Sequence, residues 1–108
     1  MSLGCDSKKE RLLSFLESHP NDTFSLYALA LEERKDGNIE SAETLFKKVI
    51  SVEPGNLGAY YQLAELLVER GASDDALDVI DKAILQASEQ NDSHSLNEFK
   101  ELKTIHFS

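Results

Sequence analysis

The sequence has few of the residues that covalent cross-links and membrane insertion require. Of its 108 residues one is cysteine, Cys5, so no intrachain disulfide and no cysteine-based zinc site can form. No apolar stretch approaches the ~18 residues that a membrane-spanning helix needs. Tryptophan is absent. We therefore expect a soluble protein, and a reducing, cytoplasmic location fits its single cysteine.

Basic residues are also scarce. The chain has 11 lysines and arginines against 20 aspartates and glutamates, so its formal net charge is −9. This charge repels phosphate backbones and anionic lipid headgroups, so we expect neither nucleic acid nor a membrane surface as a partner. A basic protein partner is compatible with the charge, but the solubility of a small acidic domain explains it as well.

The first residues leave one alternative open for the location. They contain no apolar stretch typical of a secretory signal, yet Leu3-Gly4-Cys5 resembles the end of a bacterial lipoprotein cleavage site. If a native leader was removed, Cys5 would carry a lipid anchor. Met1-Ser2-Leu3 fits a cloning remnant equally well.

No residues have the spacing that catalysis or cofactor binding requires. His19, His94 and His106 lie at predicted helix ends or in the tail, rather than at the spacing of metal ligands. The sequence contains no glycine-rich phosphate loop and no nucleophile with an evident base. We therefore expect a protein that is not an enzyme and that holds no cofactor or metal.

What the sequence does contain is an internal repeat of 34 residues. Pro20 recurs as Pro54 and Gly37 as Gly71. A fixed period of this length is typical of repeat architectures. Apolar residues within each unit are three and four positions apart, which predicts helices, and glycine suits a helix C-terminus. The other recurring residues are Leu29 as Leu63, Ala30 as Ala64, Ala42 as Ala76, and Ile50 as Ile84.

The repeated residues resemble the tetratricopeptide repeat, a helix–turn–helix unit of 34 residues. The resemblance implies an all-α fold in which antiparallel helix–turn–helix repeats stack as a short right-handed α-solenoid of about six helices. Glu33 departs from the pattern, because it occupies a usually aromatic position; we expect looser packing or partial exposure there. The matching residues are Leu26, Leu29, Ala30, Ala42, Phe46, Val49 and Pro54, then Tyr60, Leu63, Ala64, Leu67, Ala76, Ile80 and Ala83.

The repeats and their flanks divide one predicted domain, residues 1–108, into four parts. Residues 21–54 form repeat one and residues 55–88 form repeat two. Residues 6–19 are predicted to form a degenerate N-terminal helix, and residues 92–105 a C-terminal capping helix. Such terminal helices cover the open ends of a repeat stack.

Local signals predict how the helices begin and which charges pair. Asn38 and Ser73 are the predicted N-caps of the second helices, and Ser95 with Glu98 forms a predicted capping box at the last helix. Exposed pairs four residues apart are expected between Glu43 and Lys47 and between Asp78 and Lys82.

The family resemblance implies that the chain binds protein. In a tetratricopeptide stack, the first helix of each repeat lines a concave groove, so its outward residues are the candidate contacts. Large apolar side chains grouped on a surface often mark an interaction site. Phe24, Tyr27, Leu31 and Tyr61 are the predicted anchors. The full candidate set is Phe24, Tyr27, Leu31, Arg34 and Lys35 on one helix and Gly58, Tyr61, Glu65, Val68 and Glu69 on the next, with the charged members tuning specificity.

Two alternatives remain open for these residues. The large side chains could pack against the terminal helices and meet no partner, or the same surface could pair two copies of the chain as a homodimer. A chaperone-binding subgroup of the family grips a C-terminal carboxylate with lysine, asparagine and arginine. Tyr27, Leu31 and Gln62 stand where three of those polar residues would be, so we do not expect that clamp here.

Overall fold

The computed structural model describes residues 7–107, and within this range it contains six α-helices and no strand. The predictions about residues 1–6, including a lipid anchor at Cys5, lie outside the described residues. The chain divides into two compact units, Met1–Pro54 and Gly55–Ser108. The prediction of an all-α fold of about six helices is confirmed. The grouping of these helices into one domain of two repeats and two flanking helices stays a prediction.

The first unit contains three helices. Helix α1 spans Lys8–Ser18, α2 spans Thr23–Lys35 and α3 spans Ile39–Val52. Helix α2 packs against both of the others, and most extensively against α3. Helix α1 has no buried side chain, whereas α2 and α3 share an apolar core. The buried apolar residues are Leu26, Leu29 and Ala30 of α2 and Ala42, Phe46 and Val49 of α3.

The second unit repeats this pairing and adds a third helix after it. Helix α4 spans Leu57–Glu69, α5 spans Ser73–Glu89 and α6 spans Ser93–Phe107. Helix α5 packs against both α4 and α6. One core cluster draws a residue from each helix, so α6 belongs to the core of this unit. Its members are Ala64, Ile80 and Leu102, with Tyr61, Val79, Ile84 and Phe107 packed against it.

Small residues are buried in both helix pairs. Ala30 and Ala42 of the first unit, and Ala64 and Ala76 of the second, have no exposed surface. A larger side chain at any of the four would overpack its helix pair, at a cost of about 1–3 kcal/mol. All four alanines are among the residues that match the repeat pattern.

Helices α2, α4 and α5 end in the same type of turn. The residue after each C-cap has a positive φ, which is 84° at Gly37, 79° at Gly71 and 57° at Asn91. Its N–H returns to a carbonyl of the last helical turn, as the Asn91 N–H does to Ser88 O at 3.1 Å. The two glycines were predicted to end helices. Asn91 was not, although asparagine enters this region more readily than most residues with a side chain.

Helices α2, α4 and α6 each follow an Asp or Asn that caps their first N–H groups. The Asp22 carboxylate accepts the Ser25 N–H at 3.0 Å and the Ser25 hydroxyl at 2.6 Å. These two bonds, the hydroxyl's first, lower the pKa of Asp22. Asn56 Oδ1 accepts the Ala59 N–H at 3.0 Å. Asp92 holds the same position before α6 as Asp22 holds before α2 and Asn56 before α4.

Two predictions about helix starts are wrong, and a third, Asn38 as an N-cap, is confirmed for the position of the residue. The Ser95–Glu98 capping box is wrong: α6 begins at Ser93, and the Ser95 N–H donates to Asp92 Oδ1 at 3.0 Å. Ser73 is not an N-cap, because Ala72 holds that position without a side-chain bond. Asn38 is the N-cap of α3 but its side chain caps nothing.

Both predicted i,i+4 ion pairs form. Lys47 Nζ lies 2.9 Å from Glu43 Oε2, and Lys82 Nζ lies 3.1 Å from Asp78 Oδ2. The prediction that Glu43 is exposed is wrong, because this residue is only 8% exposed. Burial of its stem within the first unit leaves the carboxylate in reach of the lysine.

Glu33 fills the usually aromatic position with a hydrogen-bonded charge. Its carboxylate pairs with Lys9 Nζ of α1 and accepts bonds from Asn38 Nδ2 at 2.9 Å and Ser41 Oγ at 2.8 Å. The side chain is 15% exposed. The bond from Lys9, followed by that from Asn38, lowers the pKa of Glu33 to about 2. Instead of loose packing, this position holds a polar network that links α1 and the start of α3 to α2.

Replacing Asn91 tests the positive-φ turn after α5. We expect Asn91→Ala to lower the free energy of unfolding by about 1 kcal/mol, because a Cβ-bearing residue without a short polar group resists this conformation. Asn91→Gly should be as stable as the parent or more so. Urea unfolding measures both, with Glu89→Ala as a control in the adjacent helical turn. Equal losses for alanine and glycine would contradict the role of φ.

Replacing Glu33 tests the polar network. We expect Glu33→Gln to lower the free energy of unfolding at pH 7 by about 1–3 kcal/mol, because it removes a charged acceptor of three donors. The lowered pKa means that this contribution is present above about pH 4.5 and is lost as the pH falls through about 2.

Urea unfolding of the parent and of Glu33→Gln at a series of pH values measures this difference. The gap between the two proteins should narrow from pH 4.5 to pH 2. Glu17→Gln, at an exposed position of α1, is the matched control. A gap that is independent of pH would show that shape rather than charge matters at this position.

Candidate functional site

The candidate residues of the first unit follow one face of α2. Phe24, Tyr27 and Leu31 are three and four positions apart, so their side chains are neighbours on the helix. Phe24 is 80% exposed and Leu31 is 36% exposed. Arg34 is half-buried and Lys35 is exposed at the C-terminal end of the same face. The face therefore runs from apolar to cationic along the helix.

The exposure of Phe24 follows from where the Asp22 cap starts the helix. With Asp22 as N-cap, Phe24 is the second residue of α2. A helical side chain covers the helical turn that precedes it, and no turn of α2 precedes Phe24. The aromatic ring is consequently left in solvent.

Tyr27 is less available than predicted. Its ring meets that of Phe46 of α3 edge to face, with centroids 5.5 Å apart and an interplanar angle of 72°. Such pairs contribute about 0.5–1.5 kcal/mol beyond the burial of their area. Half-buried in this way, Tyr27 supports the core of the first unit and offers only its outer edge to a partner.

The candidate residues of the second unit lie on α4. Tyr61, Glu65 and Val68 are half-buried, while Glu69 is exposed. The Tyr61 ring lies 5.8 Å from that of Phe99 of α6, at an interplanar angle of 53°. Tyr61 thus packs against the last helix, as the first alternative interpretation expected of these residues.

Three carboxylates act electrostatically on the Tyr61 hydroxyl. Burial raises its pKa, and the negative charges of Glu65, Glu98 and Glu101 raise it further. Glu65 comes from α4 and lies one turn beyond the tyrosine. Glu98 and Glu101 come from α6 and were not among the predicted contacts.

Helix α6 therefore contributes to the site together with α4. Glu98, Glu101 and Ile105 are spaced by three and four residues, and Ile105 is 67% exposed. Counted from the capping residues, Glu101 holds the position of Leu31 and Glu65. Counting from the capping residue was the signal in the sequence that could have identified Glu101 as a candidate contact. We call the surface formed by Tyr61, Glu65, Val68 and Glu69 of α4 and Glu98, Glu101 and Ile105 of α6 the α4–α6 face.

Other large apolar side chains are exposed at scattered positions. Leu13 and Phe15 lie on α1, Val52 on α3 and Leu85 on α5, each more than a third exposed. Phe15 stacks on His19 with ring centroids 4.2 Å apart. None of these was predicted as a contact, and single exposed apolar residues are ordinary on protein surfaces.

Metal-binding clusters and membrane-spanning helices are both absent from residues 7–107. These residues contain no group of three or more histidine, cysteine, aspartate or glutamate side chains that could hold a metal ion. Within the same range, no helix combines the length and the apolar character needed to cross a membrane.

Known proteins similar to the chain share its repeat pattern. The tetratricopeptide repeat family model matches residues 33–97. A tetratricopeptide repeat domain protein from Salinibacter ruber is 33% identical in its solution structure, with a TM-score of 0.77, covering 82% of this chain and 89% of that one. A crystal structure of a Salinibacter ruber tetratricopeptide repeat domain protein is also 33% identical, with a TM-score of 0.72 and coverage of 79% and 94%.

A more distant similarity is to the TPR2B domain of yeast Sti1 in its complex with pHsp70. The identity is 21% and the TM-score 0.78, over 87% of this chain and 75% of that one. At this identity the likeness concerns the fold alone. Among curated proteins, none is significantly similar to the chain in sequence.

Comparing two aromatic substitutions tests the different burial of Tyr27 and Phe24. We expect Tyr27→Ala to lower the free energy of unfolding by about 1–3 kcal/mol, because it removes the ring that packs on Phe46. Phe24→Ser should change it by less than about 0.5 kcal/mol, as exposed positions usually do. Thermal unfolding followed by circular dichroism measures both. A neutral Tyr27→Ala would place Tyr27 among the surface residues.

Proposed function

Because the chain belongs to the tetratricopeptide repeat family, we propose that it is an interaction module for segments of other proteins, with candidate contacts on the outward face of α2 in the first unit and on that of α4 in the second. Tetratricopeptide repeat domains generally mediate protein–protein interaction and are generally not catalytic. The predictions of a scaffold or adaptor role, of no enzyme activity and of a cytoplasmic location belong to the same proposal.

The exposure of Phe24 is the observation that carries this proposal. An aromatic side chain that is 80% exposed leaves most of its apolar surface in water, and Leu31 on the same face adds to it. Aromatic residues at the centre of protein interfaces contribute a large share of the binding free energy. Phe24 and Leu31 are therefore the proposed anchors of the first unit, and Tyr27 contributes its exposed edge.

The charged candidate residues differ in sign between the two units. Arg34 and Lys35 follow the apolar residues of α2, whereas Glu65 and Glu69 follow Tyr61 on α4. Charges at the rim of an interface select partners and guide their approach more than they add affinity. We propose that these four residues tune specificity. Since Tyr27 and Leu31 occupy positions of the chaperone-tail clamp, the proposal does not extend to chaperone C-termini.

A homodimer is the second candidate, and the same exposed residues favour it. Two copies that buried Phe24 and Leu31 against each other would remove the same apolar surface from water. Pairs related by a two-fold axis are the commonest oligomers. The two candidates differ in the partner and not in the residues used.

Selection from a displayed peptide library tests the proposed function. We expect the parent protein to enrich defined sequences, and Phe24→Ser/Leu31→Ser to bind the corresponding synthetic peptides at least about tenfold more weakly, because both anchors are lost. Leu85→Ser is the matched control, since Leu85 is 58% exposed on the second helix of its repeat. Equal weakening by the control would contradict an α2 site.

Sedimentation over a wide range of protein concentration distinguishes the homodimer from the binding module. A dimer in the parent protein that is lost in Phe24→Ser/Leu31→Ser would favour self-association. A monomer at every concentration, together with peptides selected by the parent, would leave the binding module as the function.

A further inference from the structure

The α4–α6 face has a composition unlike the α2 face of the first unit. Its carboxylates are Glu65 and Glu69 from α4 and Glu98 and Glu101 from α6. Glu98 is 49% exposed, and Glu101 is also exposed. Helix α4 itself contains no lysine or arginine, and Arg70 follows directly after Glu69. The face consequently presents negative charge from two adjacent helices.

The lysines of α6 lie on its opposite side. Lys100 and Lys103 are at least 100° around the helix from each of Glu98, Glu101 and Ile105, at about 100° per residue. Lys103 Nζ lies 2.9 Å from Asp81 Oδ1 of α5, which holds it away from α4. The cations of α6 therefore do not neutralise its acidic line.

Apolar surface accompanies these charges. Ile105 is 67% exposed on the same line as Glu98 and Glu101. Tyr61 and Val68 are half-buried on α4, and the Tyr61 ring is held by Phe99. The Tyr61 ring is thus fixed by a neighbouring ring, and carboxylates of both helices act on its hydroxyl. A fixed aromatic ring among carboxylates suits a cation, because the electrostatic attraction of the ring adds to that of the acids.

We propose that the α4–α6 face docks a basic amphipathic protein segment, in which lysine or arginine pairs with Glu98 and Glu101 while apolar residues cover Ile105 and Tyr61. This inference rests on the proposed function, that the chain binds protein segments, and names the class of segment. Charge complementarity decides the occupant: residues 55–108 contain ten acidic and four basic side chains. An acidic segment would be repelled by Glu98 and Glu101, and a neutral segment would bring no cation to them as they lose water.

One histidine is the remaining titratable group on this side of α6. His94 Nε2 lies 3.5 Å from Glu98 Oε2, one turn before it. The histidine is 84% exposed. It can turn towards solvent when a lysine or arginine of the segment approaches Glu98.

Two synthetic peptides of one amphipathic design test the inference. Both have leucine on one side, and they carry either lysine or glutamate at every charged position. A third peptide keeps the lysines but has serine in place of leucine. Fluorescence anisotropy measures the Kd, and amide chemical shifts of the nitrogen-labelled protein identify the residues contacted.

Binding of the lysine–leucine peptide, with amide shifts concentrated on α4 and α6, is the expected result. The glutamate peptide and the lysine–serine peptide should bind at least about tenfold more weakly, since one reverses the charge and the other removes the apolar contacts. Added sodium chloride should weaken binding of the lysine–leucine peptide, because salt screens exposed charges.

Matched variants distinguish an effect of the α4–α6 face from an effect of the protein's net charge. Glu98→Lys/Glu101→Lys should raise the Kd of the lysine–leucine peptide by about tenfold, because attraction becomes repulsion at two contacts. Glu17→Lys/Glu89→Lys makes the same change in net charge at exposed positions of α1 and α5, near helix ends that favour cations, and should have little effect. Ile105→Ser, at an exposed position, should also weaken binding of the lysine–leucine peptide.

Several outcomes would overturn the inference: equal binding of the lysine and glutamate peptides, equal loss in the two charge-reversal variants, no effect of Ile105→Ser, or amide shifts away from α4 and α6. Should the library of the previous section yield ligands that depend on Phe24 while the lysine–leucine peptide fails, the α4–α6 inference falls and the proposed function stands. If no peptide of either kind binds, both fall.

Discussion

The pairing of helices through fully buried alanines is the constraint on which the other features depend. Ala30 against α3 and Ala64 against α5 fix which side of α2 and α4 is buried in each unit. A helix that buries one side against a partner leaves the opposite side for solvent or for other contacts. Phe24 and Leu31 of α2 are outward for this reason. The candidate site is thus a consequence of how each repeat folds rather than an addition to it.

The periodic features of the fold could be predicted from the sequence, because burial repeats with the chain. Residues 34 apart have equivalent surroundings, so the inward alanines and the glycine turns followed from the spacing. The polar contacts between helices could not be predicted in this way, because they depend on how the helices pack. Glu33 shows the difference: its position indicated an irregularity, but the donors from Lys9 and Ser41 depend on packing. The packing of Tyr61 was left open between two alternatives for the same reason, since its partner Phe99 lies on another helix.

Charge adds to apolar contact in attaching α1 to the first unit, where Leu12 and Leu16 are half-buried. Helix α1 buries no side chain, yet Lys9 pairs with both Glu33 and Asp36 of α2 and of the turn after it. These bonds raise the pKa of Lys9, that to Glu33 most. Exposed ion pairs contribute little singly, whereas a shared lysine with further donors to the same carboxylate forms a network. The attachment of α1 therefore depends on a carboxylate that replaces the usual aromatic residue, and its strength depends on pH.

The last helix combines two roles that the sequence analysis assigned to separate helices. Its cap at Asp92 places Lys100 where Ala30 and Ala64 stand in the earlier first helices, and Lys100 is exposed. A lysine at that position keeps this side of α6 polar, which suits a capping helix. On its other side, α6 holds Glu101 at the position of Glu65 and Leu31. The helix therefore closes the core of the second unit while extending the outward surface of α4, and this is why residues of a capping helix belong to the proposed binding face.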